Sequence, residues 1–249
     1  MTLNIISFNL QNIITDKNYD GGKNVDVLAH YINKIKPDII CVQELTDAYE
    51  NKLKEKIKNY NFTGKNRFKK SSIWYNHFGE KTAIITNQKT INTKTYSLSK
   101  NLNKIGKRSF LSIFPRIATV TTIQKENQKI TIINTHLDHL TDIARKKQLT
   151  YLKQIIEKEN NPIILTGDFN LNTENKLFQN FTEYMKTKNC TLISNNKNTF
   201  KPFKNPLKIS YNFKTPDHIF IPKQFKIENI QIKDLNISDH KLINIKIKS

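Results

Sequence analysis

Short apolar runs recur along the whole of this 249-residue chain, and none approaches the roughly 18 residues of a transmembrane helix. Two of them, at residues 38–43 (DIICVQ) and 162–166 (PIILT), are continuous and contain isoleucine pairs. This pattern is typical of strands buried on both faces. Apolar residues at helical spacing occupy residues 25–35, before Pro37, and residues 141–158. Many short strands with a few helices predict an α/β protein in which two packed sheets are flanked by helices.

The remaining elements follow from the same two periodicities. We predict helices at residues 49–57 and 174–185. We predict further strands at residues 3–10, 72–76, 82–86, 90–98, 117–124, 129–135, 217–221 and 242–247. No internal repeat, low-complexity tract or Gly/Ser/Pro-rich linker separates these elements, so residues 1–249 are expected to form a single domain.

The chain carries a formal net charge of +20, which attracts polyanions. Only four of its 41 basic residues are Arg, however, and Lys, Asn and Ile are abundant while Gly and Pro are scarce. This bias is typical of AT-rich coding sequence, whatever the protein does. The charge alone therefore indicates a nucleic-acid surface and a solvated lysine-rich face about equally.

Two features bear on the cellular compartment. The N-terminal residues lack the basic region and the small-residue cleavage site of a secretory signal. The two cysteines, Cys41 and Cys190, make no disulfide framework and suit a reducing compartment. We therefore expect a cytoplasmic protein without stable insertion into membranes.

Polar side chains repeatedly stand at the ends of the apolar runs. Asn9 lies in SFNL near the end of the first run, and Glu44 directly follows the run at residues 38–43. The later runs are flanked in the same way by His136, Asp168, Asn170, Asp217, Asp239 and His240. Within the turn GDFN, the two polar side chains are separated by one residue and are expected to point to the same side.

Each of these residues also has a purely structural interpretation. Glu44 suits the first turn of a helix, GDFN suits an Asx-turn, and Ser238 in SDH suits a cap. His136 suits a hydrogen-bonded structural histidine between a strand and a loop. Because buried positions rarely carry polar groups, we put the chance that the whole set is accidental at about one in twenty.

The set is chemically coherent. Asn9, Glu44 and Asp239 offer the hard oxygen ligands that Mg²⁺ or Mn²⁺ prefers. An Asp beside an Asn can take a proton from water, and a histidine paired with a carboxylate can stay protonated and stabilise charge on phosphate oxygens. Those are the requirements of metal-assisted phosphoester hydrolysis.

Other common chemistries lack their motifs in this sequence. The separated histidines, with no His/Cys cluster, argue against a structural zinc site. No G-x-S-x-G elbow is present, which argues against acyl transfer by a serine nucleophile. Walker and G-x-G-x-x-G motifs are also absent, so nucleotide binding through those loops has no support.

The ordered motifs SFNL, VQE, NTHLDH, ILTGDFN, PDHIF and SDH resemble those of the endonuclease/exonuclease/phosphatase superfamily, whose fold is that of deoxyribonuclease I. The resemblance covers essentially the whole chain. It implies a four-layer α/β/β/α sandwich of two mixed β-sheets flanked by helices, with the site at one end of the sheets. It also implies divalent-metal-dependent hydrolysis of phosphoesters.

The resemblance implies a role for the residues around the metal and the water. Glu44 would be the principal metal ligand, with Asn9 and Asp239 close to the ion. Asp168 would be the general base that activates water. Asn170 would orient the phosphate or that water.

The same resemblance implies the residues that contact the phosphate. His240 would stabilise the transition state, held in its tautomer by Asp217. His136 would contact the phosphate from the other side and would be a candidate to protonate the leaving oxygen. Arg116 would reach the phosphate. Trp74 offers an aromatic platform for a base or a sugar, with core packing as an equal alternative.

Some features point to a branch of the superfamily. The segments TYSL, PRI and NTHLDH, with Arg145 further on, are similar to a compact, largely uncharacterised bacterial branch. NTHLDH replaces the tyrosine and the Asn/Pro-Gly turn of exonuclease III-type abasic endonucleases, which disfavours that repair role. An ion pair is the favoured role for Arg145. His139 suits either a partner of the site or a plain loop residue.

We expect a nuclease acting on DNA or RNA, with nucleic acid as its partner and a monomer as its state. The same site in this superfamily also hydrolyses sphingomyelin and inositol polyphosphates, so a lipid or inositol phosphoesterase is the alternative. The apolar residues between Leu98 and Phe114 keep the lipid alternative open. A polyanion-binding module without turnover is a third alternative, against which the complete catalytic set argues.

Overall fold

Two mixed six-stranded β-sheets form the centre of the computed structural model, which describes residues 1–11, 21–193, 198–201 and 214–249, without the side chains of residues 21–23 and 77. In chain order the strands are β1 (Thr2–Asn9), β2 (Ile39–Leu45), β3 (Asn61–Thr63), β4 (Lys81–Thr86), β5 (Lys89–Ser97), β6 (Ile117–Lys125), β7 (Gln128–His136), β8 (Ile163–Asp168), β9 (Cys190–Leu192), β10 (Asp217–Pro222), β11 (Lys226–Lys233) and β12 (Leu242–Lys248). The helices are α1 (Gly21–Ile35), α2 (Asp47–Lys56), α3 (Tyr75–Phe78), α4 (Asp142–Ile156) and α5 (Lys176–Thr187).

The two sheets share one pattern of strand directions. The first has the order β11-β12-β1-β2-β4-β3, and the second has the order β5-β6-β7-β8-β10-β9. In each sheet the central pair, β1 with β2 or β7 with β8, is parallel, and the other neighbours are antiparallel. The carboxyl ends of each parallel pair therefore lie at one edge of the sheet, where the adjoining strands β12 and β10 begin.

Three apolar layers hold these elements together. The layer between the sheets is mostly isoleucine and includes Ile5, Ile39, Ile84, Ile132, Ile164, Ile219 and Ile245. Helices α1 and α2 pack on the outer face of the first sheet through Leu28, Ile32 and Leu53, among others. Helices α4 and α5 pack on the outer face of the second through Leu152, Ile155, Phe178 and Phe181, among others. The order of layers is α/β/β/α, which confirms the predicted four-layer sandwich.

Side-chain caps define where the outer helices begin. The Thr46 hydroxyl accepts a hydrogen bond from Tyr49 N at 3.2 Å at the start of α2. The Thr141 hydroxyl accepts from Ala144 N at 3.1 Å at the start of α4. Asn175 caps α5 in the same way. Such caps satisfy backbone donors that have no partner within the helix.

The predicted strand at residues 72–76 is wrong. Tyr75 N donates to Ser72 O at 3.0 Å, and the residues from Tyr75 onward form α3. The side chains of Ile73 and Trp74 are exposed rather than packed against a sheet. The apolar residues of this segment are typical of a buried strand, but its backbone hydrogen bonds form within the segment and not with a neighbouring strand.

Three observed strands were not predicted. β3 and β9 each have three residues, too few to show a period. β11 is mostly exposed and has no continuous apolar run. β3, β9 and β11 are the outermost strands of their sheets, so one side of each has no neighbour among the described residues and the sequence constraint is weak.

Within the described part of the chain, none of the helices combines the length and the apolar character needed to cross a bilayer. Both cysteines are buried and free.

Candidate active site

The edge at which the strand ends meet brings together polar residues from both sheets. In the second sheet, His136 of β7 lies beside Asp168 of β8, which lies beside Asp217 of β10. In the first sheet, Asn9 ends β1 and Glu44 is close to the end of the parallel strand β2. The side chain of Asn9 donates to Asp168 Oδ2 at 2.9 Å, so the two edges meet at one site.

Unusual backbone conformations shape this edge. A Cβ atom on Gly167 would lie 2.2 Å from Thr135 O, so a larger residue would push β7 and β8 apart. Glu44 (φ 59°) and Asn170 (φ 50°) have left-handed backbone conformations. Such conformations cost about 1–2 kcal/mol in non-glycine residues and are concentrated at functional sites.

We call one side of the site the acidic half: Asp168, Asp217, Asp239 and His240. His240 Nδ1 donates to Asp217 Oδ2 at 2.9 Å. His240 Nε2 lies 3.7 Å from Asp168 Oδ2 and 3.7 Å from Asp239 Oδ1. The backbone before the histidine is held by Ser238, whose hydroxyl accepts from His240 N at 3.0 Å. The imidazole is thus enclosed by three carboxyl groups.

These carboxyl groups keep His240 charged. Burial by itself lowers the pKa of His240, but Asp217, Asp168 and Asp239 outweigh it and raise the pKa to about 10. Burial raises the pKa of Asp168 to about 7, with His240 opposing the rise and Asp217 adding to it. At neutral pH the acidic half therefore contains an imidazolium and a carboxyl group near its titration point.

Asp239 of the acidic half, together with Asn9 and Glu44, also forms what we call the oxygen cluster. Asn9 Nδ2 donates to Glu44 Oε1 at 3.1 Å. Asp239 Oδ1 is buried and makes no hydrogen bond to any described residue. Burial raises the pKa of Asp239 to about 6, with His240 opposing the rise and the Glu44 carboxylate adding to it.

The oxygen cluster fits a hard divalent cation. The carboxylates of Glu44 and Asp239 repel each other, and Asp239 Oδ1 has no hydrogen bond to a described residue. A cation between the two carboxylates would therefore stabilise both. Asp168, Asp217 and His240 also have potential ligand atoms within 4.8 Å of one another. However, the Asp217 carboxylate accepts a hydrogen bond from the His240 imidazole. This imidazole is protonated and has no lone pair for a metal. The oxygen cluster is therefore the better cation site.

On the other side of Asp168 lies the basic half: Arg67, Glu80, Arg116 and His136. Arg116 Nη1 lies 3.0 Å from both ring nitrogens of His136. Arg67 Nη1 donates to Glu80 Oε1 at 2.5 Å. The same Glu80 oxygen is 3.7 Å from Arg116 Nη1 and 3.7 Å from His136 Nδ1. His136 Nε2 lies 3.5 Å from Asp168 Oδ2, which joins the two halves.

The basic half keeps its histidine neutral. Burial, followed by the guanidinium groups of Arg116 and Arg67, lowers the pKa of His136 well below its usual value. Burial raises the pKa of Glu80 to about 7, with Arg67 opposing the rise. At neutral pH His240 is therefore positively charged and His136 is neutral.

Sequence reasoning missed Arg67 and Glu80 and left His139 open. Glu80 directly precedes β4, so it stands at the start of a strand as Asp217 does, and this position was the signal that could have found it. Arg67 lies outside the helices and strands and has no such signal. His139 is a partner of the site, because its Nδ1 atom lies 3.0 Å from Arg116 Nη2.

Two of the predicted residues lie at different distances from the centre. Asn170 N donates to Asp168 Oδ1 at 2.9 Å, and the Asn170 amide donates to Leu137 O at 3.0 Å. Trp74 is half exposed, and its ring packs 5.5 Å from that of Phe78. Asn170 is therefore part of the centre. Trp74 lies at the rim, next to Phe78, whose carbonyl oxygen accepts from Arg67 Nε of the basic half at 2.8 Å.

Comparison with known proteins identifies the class to which this fold and site belong. Residues 6–240 match the sequence model of the Endonuclease/Exonuclease/phosphatase family, and the chain belongs to that family. Membership supports hydrolysis of a phosphoester as the activity. No curated protein sequence matches the chain.

Several solved structures share the fold along the whole chain. An endonuclease/exonuclease/phosphatase family protein from Bacteroides thetaiotaomicron is 20% identical, with a TM-score of 0.82, and the match covers 99% of this chain and 98% of that one. A mannosyl-6-phosphatase from the same species is 20% identical, with a TM-score of 0.80 and coverage of 99% and 100%. TDP2 from D. rerio, in complex with a single-strand DNA product, is 19% identical, with a TM-score of 0.72 and coverage of 100% and 99%. At these identities the likeness shows the fold.

Proposed function

We propose that this protein is a divalent-metal-dependent phosphodiester hydrolase that acts on nucleic acid, either DNA or RNA. The observation that carries the proposal is the arrangement of Asp217, His240 and Asp168, in which a buried imidazolium faces a buried carboxyl group beside the oxygen cluster. Such a pair can activate a water nucleophile and stabilise an anionic transition state.

Glu44 and Asp239 would hold the cation, Mg²⁺ or Mn²⁺, because both ions prefer carboxylate oxygens. Asn9 directs its Nδ2 atom at Glu44 and Asp168, while its Oδ1 atom accepts from Gln11 N. Asn9 would therefore orient the carboxylates beside the ion rather than bind the ion itself. When bound, the ion would supply Lewis-acid polarisation of a phosphate oxygen. The remaining steps belong to side chains of this chain.

Asp168 would be the general base that takes a proton from the attacking water. Its two oxygens accept hydrogen bonds from Asn9 Nδ2 and from Asn170 N, each at 2.9 Å, which fixes the direction of the carboxylate. Burial raises the pKa of Asp168 to about 7, close to neutral pH, which is the condition under which a general base works best.

His240 would stabilise the charge that grows on the phosphate oxygens. Asp217 holds its Nδ1 atom, so Nε2–H is the donor directed into the site. Because the imidazolium is already charged and oriented, little reorganisation is needed during the reaction.

The basic half would hold the phosphate from the other side. The Arg116 guanidinium can bind phosphate oxygens with its fork of donors. The pKa of His136 is lowered by burial and by Arg116, so this histidine carries one N–H at neutral pH. We therefore assign His136 a hydrogen bond to the phosphate rather than protonation of the leaving oxygen.

The choice of nucleic acid rests on charge and on the rim of the site. A net charge of +20 favours a polyanion, and the half-exposed ring of Trp74 can stack on a base. One structural neighbour was solved with a single-strand DNA product and another is a mannosyl-6-phosphatase, so substrates of both kinds belong in the test. We further propose that the chain is one catalytic domain and works as a cytoplasmic monomer.

The test is a panel of phosphoesters incubated with the protein in Mg²⁺, in Mn²⁺ or in EDTA. The panel contains plasmid DNA, single-stranded DNA, RNA, a bis-aryl phosphodiester, sphingomyelin, a sugar phosphate and an inositol polyphosphate. We expect cleavage of nucleic acid and of the bis-aryl ester with either metal, and none in EDTA. Preferred cleavage of a lipid, sugar or inositol phosphate would replace the proposed substrate, and binding of DNA without turnover would indicate a binding module.

Two substitutions test the site itself. Asp168→Asn and His240→Gln should each lower kcat by about 10²- to 10⁴-fold, the usual contribution of one acid–base group. His30→Gln is the matched control, since His30 is exposed on α1. Wild-type activity in both site variants would show that the chemistry lies elsewhere.

A further inference from the structure

The loop between β5 and β6 contains the sequence SFLSIF, in which burial is inverted. Its polar residues, Ser109 and Ser112, are buried. Its apolar residues Phe110, Leu111 and Ile113 are 67%, 51% and 54% exposed. Water exposure of neighbouring large apolar side chains is unfavourable and typically marks an interaction surface.

Buried hydrogen bonds hold this loop in its inverted conformation. The Ser112 hydroxyl donates to Asp138 Oδ2 at 2.6 Å. The side chain of Gln148 donates to the Ser109 hydroxyl at 2.8 Å. Leu111 has a left-handed backbone with φ 60°. The exposure of the apolar side chains is thus built into the fold.

Further exposed apolar side chains surround the loop and complete what we call the apolar patch. Seven of the ten large apolar side chains that are exposed in the described part of the chain belong to it, with exposed fractions from 46% to 79%. They are Ile73, Trp74, Phe110, Leu111, Ile113, Leu140 and Ile143.

The three segments that supply the patch are in contact. The ring of Phe78 lies 5.5 Å from that of Trp74 and 5.3 Å from that of Phe114, at the end of the inverted loop. Asp138, which anchors that loop, also accepts from Leu140 N at 2.9 Å. The segments that supply the patch are therefore neighbours in space.

Basic residues adjoin the patch. Two clefts, of about 710 Å³ and about 260 Å³, lie beside the inverted loop, and none of the described residues that line them is acidic. Arg108 joins the larger cleft to the patch, because its guanidinium donates to Ile113 O at 3.2 Å. Asp142, beside the patch on α4, is paired with Arg145 at 2.6 Å, as favoured for that arginine. The cationic residues of the clefts, which we call the basic collar, are Lys69, Lys100, Lys104, Lys107, Arg108 and Lys158.

We infer that the apolar patch and its basic collar dock this protein on an anionic lipid bilayer, without spanning it. Exposed apolar side chains enter the boundary between headgroups and acyl chains, and neighbouring lysines bind anionic headgroups. The combination of both features on one surface is the complement of such a bilayer.

The composition of the patch favours a bilayer over a nucleic acid. Five of its seven side chains are Ile or Leu, which have no flat face on which a base can stack. Aliphatic side chains gain most from contact with acyl chains.

Docking would bring the active site to the membrane surface. Arg116 of the basic half is two residues beyond Phe114, and His139 adjoins Leu140 of the patch. The inference goes beyond the proposed function, because binding to the bilayer requires no turnover.

The experiment measures co-sedimentation of the whole protein with vesicles. Vesicles of equal parts phosphatidylcholine and phosphatidylglycerol should bind it at about 0.1 M salt, and pure phosphatidylcholine vesicles should bind it weakly. The combined variant Phe110→Ser, Leu111→Asn, Ile113→Ser should lower partition by about tenfold or more. Lys104→Glu with Lys107→Glu should lower it about as much and reduce its dependence on salt.

Matched controls come from exposed residues elsewhere. Ile91→Ser with Ile227→Ser removes isoleucines that are each 44% exposed outside the patch. Lys129→Glu with Lys226→Glu makes the same charge change outside the collar. Both controls should bind vesicles like the wild type, and all variants should hydrolyse the soluble bis-aryl ester equally, which separates this test from that of the proposed function.

Three outcomes would overturn the inference. The wild type fails to sediment with anionic vesicles, or patch and control variants lose partition equally. In the third, the patch variant keeps its vesicle binding but loses affinity for a single-stranded oligothymidylate, which would make the patch a nucleic-acid platform.

Discussion

The acidic half and the basic half each contain a buried histidine beside Asp168. The histidine of the acidic half is positively charged at neutral pH, and that of the basic half is neutral. His240 lies among three carboxyl groups, which raise its pKa to about 10 against the effect of burial. His136 lies among guanidinium groups, which add to the effect of burial and lower its pKa. Burial is common to both, so the difference comes from the sign of the neighbouring charges.

The difference shows how one site can supply two kinds of donor. A cationic imidazole stabilises growing negative charge strongly, while a neutral one gives a weaker hydrogen bond. The basic half still contributes positive charge, but through Arg116 rather than through its histidine. The chain thus places a fixed charge on each side of Asp168.

The largest expected effect comes from removing the carboxylate that keeps His240 charged. Asp217→Asn should lower the pKa of His240 and reduce kcat by about 10²- to 10⁴-fold on the bis-aryl ester. Steady-state kinetics at several pH values measure both effects, since the loss should be smallest at low pH, where the imidazole is still protonated.

Asp26→Asn is the control for this change, because Asp26 is an exposed carboxylate on the outer helix α1 that pairs with Lys56. A kcat for Asp217→Asn within twofold of wild type would show that the carboxylate does not control the charge of His240. Circular dichroism and thermal unfolding would confirm that both variants are folded.

A third buried histidine sharpens the comparison, because His218 adjoins Asp217 in sequence but points away from the site. Its ring stacks 3.9 Å from that of Phe178, and Nε2 lies 2.7 Å from Leu171 O. Burial lowers the pKa of His218 to about 4, although the bond to Leu171 and the charge of Asp217 oppose the shift. A carboxylate that is adjacent in sequence is therefore not sufficient to keep a buried histidine protonated.

This depressed pKa makes a prediction for stability. The unfolded chain protonates His218 near pH 6.5 and the folded chain only near pH 4, so the stabilisation is full above pH 6.5 and is lost as the pH falls to 4. The loss should be about 3 kcal/mol. Urea unfolding of the wild type and of His218→Gln, whose amide can still donate to Leu171 O, should show it as a difference that narrows on acidification.

Subtracting the unfolding free energy of His218→Gln from that of the wild type cancels the contributions of the other titrating groups. The raised pKa values of Asp168, Asp239 and Glu80 affect both proteins equally and act in the opposite direction, since they favour the folded state as the pH falls. His30→Gln, at an exposed position, should leave the pH dependence of the wild type unchanged. A difference between wild type and His218→Gln that is constant from pH 7 to about 4.5 would contradict the assignment.

The smallest expected effect tests the basic half. Arg116→Lys keeps the charge but cannot contact His136 and His139 together, so kcat/KM should fall about 10- to 100-fold, the value of one charge-assisted hydrogen bond. Arg116→Gln also removes the charge and should raise the pKa of His136, measured by NMR titration of the ring. If that pKa does not change in Arg116→Gln, burial and Arg67 keep His136 neutral without Arg116.

Most of the site could be predicted from the sequence because its residues follow a local rule. Asn9, Glu44, His136 and Asp168 stand at or next to the carboxyl ends of parallel strands that the apolar runs identify, and parallel strands bring these ends to one edge. Asp217 reaches the same edge because it begins β10, which runs antiparallel to β8. The structure brings these residues together. Their catalytic and metal-binding roles stay predictions until the variants are measured.

Other parts could not be predicted, because they depend on contacts across the chain. Arg67 has no local pattern, and it is held at the site by its ion pair with Glu80. The segment around Trp74 has strand-like composition but closes its backbone hydrogen bonds locally as a turn and a short helix.

By itself, the pattern of the sequence determined two packed sheets flanked by helices and the strand ends at which polar side chains collect. Those features follow from the alternation of apolar and polar residues along single elements. Only the tertiary structure decided which histidine is charged, and only it turned Phe110 outward while burying Ser112. The reason is that the pKa of a side chain and its degree of burial depend on neighbours that are distant in the chain. The periodicity within one segment contains no information about those neighbours.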